Sequence, residues 1–389
     1  MHDPIKIRVQ AGQHDRHACP VNVVVPKSYD AAQALELVET KSKTVFPVQR
    51  ETVDGGIRIH WILDELAAGT SAKFVLRVAK SKKRESKSQV QLSDDAADGR
   101  VDIHVGKKLF TSYHYGSKWV RPFLHPVIGP GGVRVTRNWP VTKAIKGEDK
   151  DHAHHKSIWV AYGECNGVDN WSEESGHGYQ RHRKFDHLES GPVFGRIVSE
   201  IDWCDKDEKK QFGETRELRV YALPNGDRML DLQVTFRMTE LPVVFTDTKE
   251  GGLLSIRVAG TMEGQHGGRI ENSFGGVGES ETWGKPASWC DYSGLAEGKH
   301  VGIAAFDHQD NPRYPTNWHV RDYGLMTANS FGLSYFRPDL GRRGDMTFEQ
   351  DSVTNWRYRV FIHRGNAKKG RVRERYLDYV APPQVAVES

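Results

Sequence analysis

The chain has 389 residues, of which 37% are hydrophobic, and its 55 Lys and Arg side chains nearly balance 51 Asp and Glu side chains, giving a net charge of +4. So small a charge on so long a chain predicts neither a nucleic-acid partner nor attraction to an anionic membrane surface. No apolar run approaches the roughly 20 residues of a membrane-spanning helix, and the four cysteines lack the spacing of a thiolate zinc site or a disulfide framework.

The amino terminus indicates where the protein resides. Residues 1–6 lack the basic start, apolar stretch and small-residue cleavage site of a signal peptide. We therefore expect a cytoplasmic protein, or a periplasmic or secreted one if a leader has been removed. The sequence does not indicate an oligomeric state.

The first 80 residues contain short segments in which apolar and polar side chains alternate, at residues 5–9, 21–25, 57–62 and 74–78. This period of two is typical of half-buried strands, whereas residues 30–40 have a helical pattern. The sequence therefore predicts a small N-terminal β module over residues 1–80. The charged, Ser-rich residues 81–95 predict a linker.

Strand-like segments recur at short intervals from residue 96 to residue 389. They lie at residues 101–104, 108–115, 158–162, 191–203, 212–222, 230–238, 252–258, 300–307, 325–328, 346–351 and 355–363. Long helical patterns are nearly absent, apart from a predicted C-terminal helix over 370–379. We predict an all-β fold, in which a large antiparallel β-sandwich follows a small N-terminal β-sandwich module and carries its functional residues in loops.

Three histidines, His152, His154 and His155, precede the predicted strand at 158–162. If their backbone is extended, His152 and His154 face one side and His155 the other, because side chains alternate along a strand. His152 and His154 would then be half of a zinc or manganese site, which needs further ligands from elsewhere. Proton transfer or substrate binding without a metal, and hydrogen bonding in a polar surface loop, remain equally open.

Aromatic and polar side chains follow this stretch in segments rich in turn formers. Aromatic rings stack on sugars while amide and carboxylate groups bind hydroxyls, so Trp159, Asn166, Trp171 and His177 predict a carbohydrate cleft. Later segments add aromatic, basic and acidic side chains that suit the same cleft. These are Trp283, Tyr323, His319, Arg321 and Asp291.

Arg257 lies on an otherwise apolar strand, on the face of Ser255, shortly after Glu250. A buried arginine is costly unless it meets a carboxylate or an anionic ligand. Two interpretations remain open: a structural ion pair with Glu250, Glu279 or Asp291, or a contact with substrate.

Five ordered motifs carry a family resemblance. YHYGSKWVRPFLHPVIGPGGVRVTRNWP, DHAHHKSIWVAYGECNGVDNW, DTKEGGLLSIRVA, WGKPASWCDYSG and NWHVRDYG, between residues 113 and 324, resemble a soluble bacterial family labelled "methane oxygenase PmoA", a domain of unknown function. The resemblance covers roughly residues 100–365. It implies a β-sandwich similar to the galactose-mutarotase supersandwich, and a setting among carbohydrate-degrading functions. Lys156 departs from the family, which has an arginine there.

These observations predict a carbohydrate-active enzyme, a glycoside hydrolase or lyase that acts on a glycoside or a modified (keto) sugar. The expected catalytic residues are His154, His155, Glu250, His319 and Asp291, and the expected substrate-binding residues are His152, Trp159, Asn166, Trp171, His177, Arg257, Trp283, Arg321 and Tyr323. No cofactor is firmly implied, although a divalent metal at His152 and His154 remains open. Two further functions are compatible with the sequence, a non-catalytic carbohydrate-binding protein and a metal-dependent sugar isomerase or epimerase.

Overall fold

The computed structural model of the protein describes residues 3–29, 34–79 and 89–388. Its first unit is a small β-sandwich. The strands of this unit are β1 (Ile5–Gln10), β2 (Arg16–Val25), β3 (Leu35–Glu39), β4 (Val45–Phe46), β5 (Gln49–Val53), β6 (Gly56–Leu66) and β7 (Ser71–Val78). Apolar side chains of two sheets, among them Ile7, Trp61 and Phe74, form its fully buried core. The four predicted N-terminal strands are confirmed.

The predicted helix over residues 30–40 is wrong where the structure describes it. Residues 30–33 lie outside the described residues, and β3 pairs with β7 along its whole length. Leu35 and Leu37, two positions apart, are both buried. This alternation suits a strand, and pairing in the sheet outweighs the local helical pattern.

The second, larger unit contains 18 strands of the described chain. They are β8 (Val90–Asp95), β9 (Arg100–Val105), β10 (Lys108–His114), β11 (Phe123–Leu124), β12 (Ile158–Tyr162), β13 (Tyr179–Glu189), β14 (Phe194–Cys204), β15 (Lys210–Tyr221), β16 (Arg228–Arg237), β17 (Val243–Phe245), β18 (Gly251–Arg257), β19 (Arg269–Asn272), β20 (Trp289–Ala296), β21 (Lys299–Asp307), β22 (Asn317–Val320), β23 (Leu325–Asn329), β24 (Met346–Phe348) and β25 (Val353–Arg364).

Two eight-stranded sheets pack face to face in this unit. The first sheet has the order β22-β23-β18-β12-β11-β10-β9-β8, and the second has the order β13-β14-β15-β16-β25-β21-β20-β19. Apolar side chains from both inner faces, among them Ile158, Ile256, Leu232 and Val360, form one core between the sheets. Neighbouring strands within both sheets are antiparallel. The predicted all-β class and large antiparallel sandwich are confirmed.

Helices are few and short: α1 (Glu279–Thr282), α2 (Leu333–Phe336), α3 (Ala367–Gly370) and α4 (Val372–Val380). The predicted C-terminal helix is confirmed as α4. It packs Val372 and Tyr376 against Phe306 and Phe361 on the outer face of the second sheet. The N-terminal unit therefore shares this face with α4, and the outer face of the first sheet remains for the site described below.

Two of the expected boundaries differ in the structure. Residues 90–95 of the expected linker form β8, which pairs with β9 in the first sheet, while residues 81–88 lie outside the described ranges. The last strand, β26 (Gln384–Glu388), pairs with β1 of the N-terminal unit. The carboxyl end of the chain therefore completes a sheet of the first unit.

Candidate functional site

The three adjacent histidines lie in a turn before β12 rather than on an extended strand. The N–H of His155 donates to the carbonyl of His152 at 3.0 Å, and the N–H of Lys156 donates to that of His154 at 3.1 Å. His152 has a positive φ of 44°, which an extended backbone does not allow. The expected alternation, with His155 facing away from the other two, is therefore wrong.

Four nearly parallel rings lie together on the outer face of the first sheet. The centroids of Trp159 and His155 are 5.3 Å apart, those of His155 and His152 4.8 Å, and those of His152 and Tyr323 5.1 Å, with interplanar angles of 24°, 4° and 8°. Tyr323 also lies 6.5 Å from His155 at an angle of 10°. His154 meets His155 edge-on at 4.4 Å. Together with Trp171, which lies 5.5 Å from His154, these residues are called the histidine cluster below.

Exposure differs sharply among these aromatic rings. Trp159 and Trp171 are each 2% exposed and His155 is 1% exposed, whereas the side chain of His152 is 42% exposed. The two tryptophans therefore form a floor and offer no stacking face to a sugar, contrary to their expected role. His155 is similarly out of reach of a substrate, so its expected catalytic role is not supported.

Asp151 fixes the orientation of the exposed histidine. Its Oδ2 lies 2.5 Å from Nδ1 of His152, and its Oδ1 accepts hydrogen bonds from Arg137 and, at 2.9 Å, from Arg257. Both arginine side chains are 0% exposed. Burial raises the pKa of Asp151, but the bond to His152 and the two guanidinium charges outweigh burial and hold this pKa below its usual value.

Arg137 holds the turn as well as the carboxylate. Its Nη2 donates to the carbonyls of His152 at 3.0 Å and His155 at 3.4 Å. The sequence offered little sign of this role, because Arg137 lies 14 residues before Asp151. Both Asp151 and Arg137 are site residues that the sequence analysis missed.

Arg257 lies on β18 beside Ser255, as predicted, but has other partners than those expected. Its Nη2 lies 2.9 Å from Asp151 and 3.3 Å from Glu263, rather than near Glu250, Glu279 or Asp291. Because its guanidinium is buried and paired with two carboxylates, Arg257 acts as a positioning residue. The expected contact with substrate is not supported.

Glu263 was also missed. Its side chain is 0% exposed, and burial raises its pKa to about 7 against the opposing effect of Arg257. A carboxyl group with this pKa titrates near neutrality. Glu263 nevertheless lies behind Arg257, so it acts on the site only through that arginine.

The open rim of the cluster is formed by Tyr323, Arg321 and Glu250. The Tyr323 ring lies between the guanidinium groups of Arg257, at 4.9 Å, and Arg321, at 5.3 Å. The Arg321 side chain is 32% exposed and is 2.9 Å from Glu279. The Glu250 side chain is 45% exposed and pairs with Lys249 at 2.8 Å. Burial raises the pKa of Tyr323 to about 12, and the charge of Glu250 adds to this effect.

His154 of the cluster and its neighbour Lys156 lie in a strongly basic setting. Burial, then the charges of Arg121, His152 and Lys156, lower the pKa of His154 to about 3. Burial also lowers the pKa of Lys156 to about 8, although Glu173 lies 2.5 Å from its Nζ. His154 is therefore neutral at neutral pH. A hydrogen bond from this ring to substrate would be uncharged.

His319 and Trp283 form a separate hydrogen-bonded pair near the cluster. Nε1 of Trp283 donates to Nδ1 of His319 at 2.9 Å. His319 is 2% exposed, and burial together with the charges of Arg321, Lys249 and His152 lowers its pKa to about 3. The structure brings this pair close to the site, but as a buried support.

Three expected site residues lie elsewhere. Asp291 is fully buried on the second sheet, 2.7 Å from His363. Asn166 ties one loop to another through bonds to the backbone of residues 242 and 244, and Nδ1 of His177 bonds to the carbonyl of Gly178 at 2.8 Å. The expected roles of Asp291, Asn166 and His177 in the cleft are therefore not supported.

No group of three or more His, Cys, Asp or Glu side chains in the described ranges is arranged to hold a metal ion. The rings of His152 and His154 lie 5.7 Å apart at 76°, and Nδ1 of His152 is already bonded to Asp151. The structure therefore adds no third ligand to the expected pair, and a metal there stays a prediction.

Sequence comparison matches residues 100–376 to the model of a family of unknown function, DUF6807. The chain belongs to this family. No curated protein matches it. The resemblance to the PmoA-labelled family is not tested by this match and stays a prediction.

Solved structures with a similar fold include a glycosyl hydrolase family 38 protein and an alpha-mannosidase, both from Enterococcus faecalis. Each is 10% identical and covers 99% of this chain, with TM-scores of 0.43 and 0.45. The chain spans about half the length of these proteins, 47% and 46%. No residue role follows from these likenesses.

None of the helices in the described chain has the length and apolar composition that crossing a membrane requires.

Proposed function

We propose that the protein is a carbohydrate-active enzyme in which the Asp151–His152 pair transfers a proton to or from a sugar. The observation that carries this proposal is an exposed imidazole whose Nδ1 is held 2.5 Å from a carboxylate, itself bound by two buried arginines. A carboxylate at Nδ1 fixes the tautomer and leaves Nε2 free to face a substrate. His152 thus takes the role expected of His154 or His155.

The side chains around His152 suit a sugar. The rings of His152 and Tyr323 are parallel and only partly buried, so their open edges offer contact to a pyranose ring. Arg321 and Glu250 add one donor and one acceptor group for hydroxyls at the same rim. The family resemblance, which implies a setting among carbohydrate-degrading functions, agrees with this substrate class.

The small number of available carboxylates at the rim of the cluster favours elimination over hydrolysis. Glycoside hydrolysis usually needs two carboxyl groups that flank the bond. Among the described rim residues, Asp151 and Glu279 are held by arginines, which leaves Glu250, paired with the exposed Lys249. A histidine base with one carboxylate instead suits a lyase step on a keto sugar.

In this step His152 Nε2 takes the proton from the carbon next to the ketone. The electron pair of the C–H bond forms the enolate, whose negative oxygen the Arg321 guanidinium faces. The enolate then returns its electron pair to form a C=C bond, and the bond to the leaving oxygen breaks. The leaving oxygen takes a proton that the Glu250 carboxylate relays from water, so protons and electrons balance. Glu250 keeps the acid/base role expected from the sequence.

The test uses a panel of glycosides and their keto derivatives. His152→Gln should lower turnover by about 100-fold or more, the usual size for an acid/base group. His177→Gln makes the same change outside the cluster and should leave turnover unchanged. Wild-type protein that binds a glycan but forms no product from any of the panel would refute the enzyme proposal and favour a carbohydrate-binding protein.

A further inference from the structure

A cavity of about 530 Å³ opens on the same face of the first sheet as the histidine cluster. We call it the His125 cavity. Strands β9 and β10 supply Arg100, Asp102, Ser112 and His114 to its floor, and the segments after them supply its walls. None of the residue roles expected from the sequence accounts for it.

This cavity shares a wall with the proposed catalytic site. Trp119 and Val141 line the cavity, and both pack against the buried aromatic group that contains Phe123, Trp159 and Trp171. Tyr323, at the open rim of the histidine cluster, packs against that same group. A ligand that extends beyond the histidine cluster along this face would therefore reach Trp119.

Unsatisfied polar atoms point to a ligand in the cavity. His125 is 3% exposed, and its Nε2 has no hydrogen-bond partner within the described chain. Nε2 of His114 donates to the His125 carbonyl at 2.9 Å, while its Nδ1 lacks a described partner, as do Nε1 of Trp119 and Nε of Arg134. Buried polar atoms without partners are rare and costly, so four on side chains that line one cavity leave hydrogen-bonding capacity for a ligand there.

Two of the three cations that line the cavity are paired with carboxylates, which leaves Arg134 as a hydrogen-bond donor to a ligand. Arg100 is paired with Asp98 and, at 3.1 Å, with Asp102, and Lys118 lies 2.5 Å from Asp98. Burial, with smaller contributions from His114 and Arg134, lowers the pKa of His125 to about 3. Neutral imidazoles beside an indole therefore meet the ligand, a combination that suits hydroxyl groups and the apolar face of a sugar ring.

We infer that the His125 cavity binds a second unit of a saccharide chain, so that the substrate is an oligosaccharide rather than a single sugar. This inference rests on the proposed function for the class of ligand, but not for the reaction. It predicts that binding energy increases with chain length until the cavity is filled, and that Trp119 contributes the stacking surface.

The experiment measures binding by calorimetry of linear oligosaccharides of one to four units from mannan, xylan and β-glucan. Wild-type protein should bind a chain of two or more units at least tenfold more tightly than the matching single sugar. Trp119→Ala removes the indole. Thr142→Trp adds a bulky ring at an exposed position of the cavity lining and removes no buried contact. Both should remove this gain of about tenfold, the size of a stacked aromatic contact.

Thr239→Trp, the same change at an exposed position outside the cavity, is the control and should keep the gain. Longer chains that bind Thr142→Trp as tightly as wild-type protein, or wild-type protein that binds no saccharide of the series, would overturn the inference. Loss of the gain in a protein with no turnover would support the cavity and refute the proposed reaction. If turnover depends on His152 but Trp119→Ala and Thr142→Trp both keep the gain, the proposed reaction is supported and the inference about the cavity is refuted.

Discussion

Two Asp–His pairs in this protein have the same chemistry and opposite settings. In the pair of the histidine cluster, Asp151 Oδ2 lies 2.5 Å from His152, and the side chains are 33% and 42% exposed. In the pair of the second sheet, Asp291 Oδ2 lies 2.7 Å from His363, and both side chains are fully buried. A proton on the first pair can reach a substrate, whereas a proton on the second pair cannot.

The two pairs also differ in whether arginines bind the carboxylate. Asp151 is bound by Arg137 and Arg257, so its carboxylate stays charged and holds the imidazole from behind. No arginine of the described chain contacts Asp291 in this way. The first pair is therefore built to present a ring to the outside, and the second pair holds β20 and β25 together across the strand between them.

The largest effect is expected from a substitution that breaks the first pair. Asp151→Asn should reduce turnover by about 100-fold or more because His152 loses the acceptor that fixes its tautomer. It should also destabilise the fold by about 3 kcal/mol, because two buried guanidinium groups lose their shared countercharge. Kinetics and urea unfolding measure the two effects. Asp149→Asn, an exposed change in the same loop, is the control, and equal activity in both variants would refute the role of Asp151.

The next largest effect is expected from a substitution that breaks the second pair. Asp291→Asn should lower the free energy of unfolding by about 3 kcal/mol, since it removes one partner of a fully buried pair. Turnover of the folded variant should stay within about twofold of wild type, because Asp291 lies on the other sheet. Urea unfolding and steady-state kinetics check this. A variant that folds normally but has lost turnover would return Asp291 to the active site.

The pH dependence of stability sharpens the contrast between the two outer faces. His125, His154 and His319 have folded pKa values of about 3, below the value of about 6.5 in an unfolded chain. The unfolded state therefore binds more protons between these values, and the free energy of unfolding should fall as pH drops from about 6.5 towards 3. Each buried histidine adds up to about 1.4 kcal/mol per pH unit.

The opposite sign is expected for His363. Burial alone would lower its pKa, but the Asp291 carboxylate raises it above the ordinary value. Its contribution is therefore present at acid pH and lost as pH rises through the folded pKa. NMR of the histidine rings should find His319 neutral and His363 protonated at about pH 6.5, the ordinary pKa of the ring. A protonated His319 at that pH would contradict the burial of this face.

The smallest expected effect is at His177. His177→Gln should change the free energy of unfolding by less than about 0.5 kcal/mol and leave turnover unaltered, because its ring bonds only to the adjacent backbone carbonyl in the described structure. Thermal unfolding and kinetics measure both. Loss of turnover would mean that the site extends to the loop after Trp171.

Much of the fold followed from the sequence because alternation of side chains is a local property. The strand over 158–162 has the predicted bounds. In contrast, β13 (Tyr179–Glu189) was missed, because its 11 residues are mostly charged or polar and it lies at the edge of its sheet. Such an edge strand has no apolar face to reveal it.

The sequence predicted where the site lies along the chain but not which residue acts in it. The stretch 151–159 does contain the histidine cluster, yet the selection of His152 depends on a turn with a positive φ and on arginines 14 and 106 residues from Asp151. Spacing along the chain carries no sign of these contacts. The tryptophans were correctly placed near the site, but their burial, which decides whether they can stack on a sugar, is a property of the packed sheet.

The most direct test of the central claim uses His152→Gly. Glycine accepts the positive φ at this position without strain and leaves a space open to solvent beside Asp151. Turnover of the oligosaccharide should fall by about 100-fold or more, and added imidazole should restore part of it in a concentration-dependent way. Turnover by His152→Gly at the wild-type rate without imidazole would contradict the account.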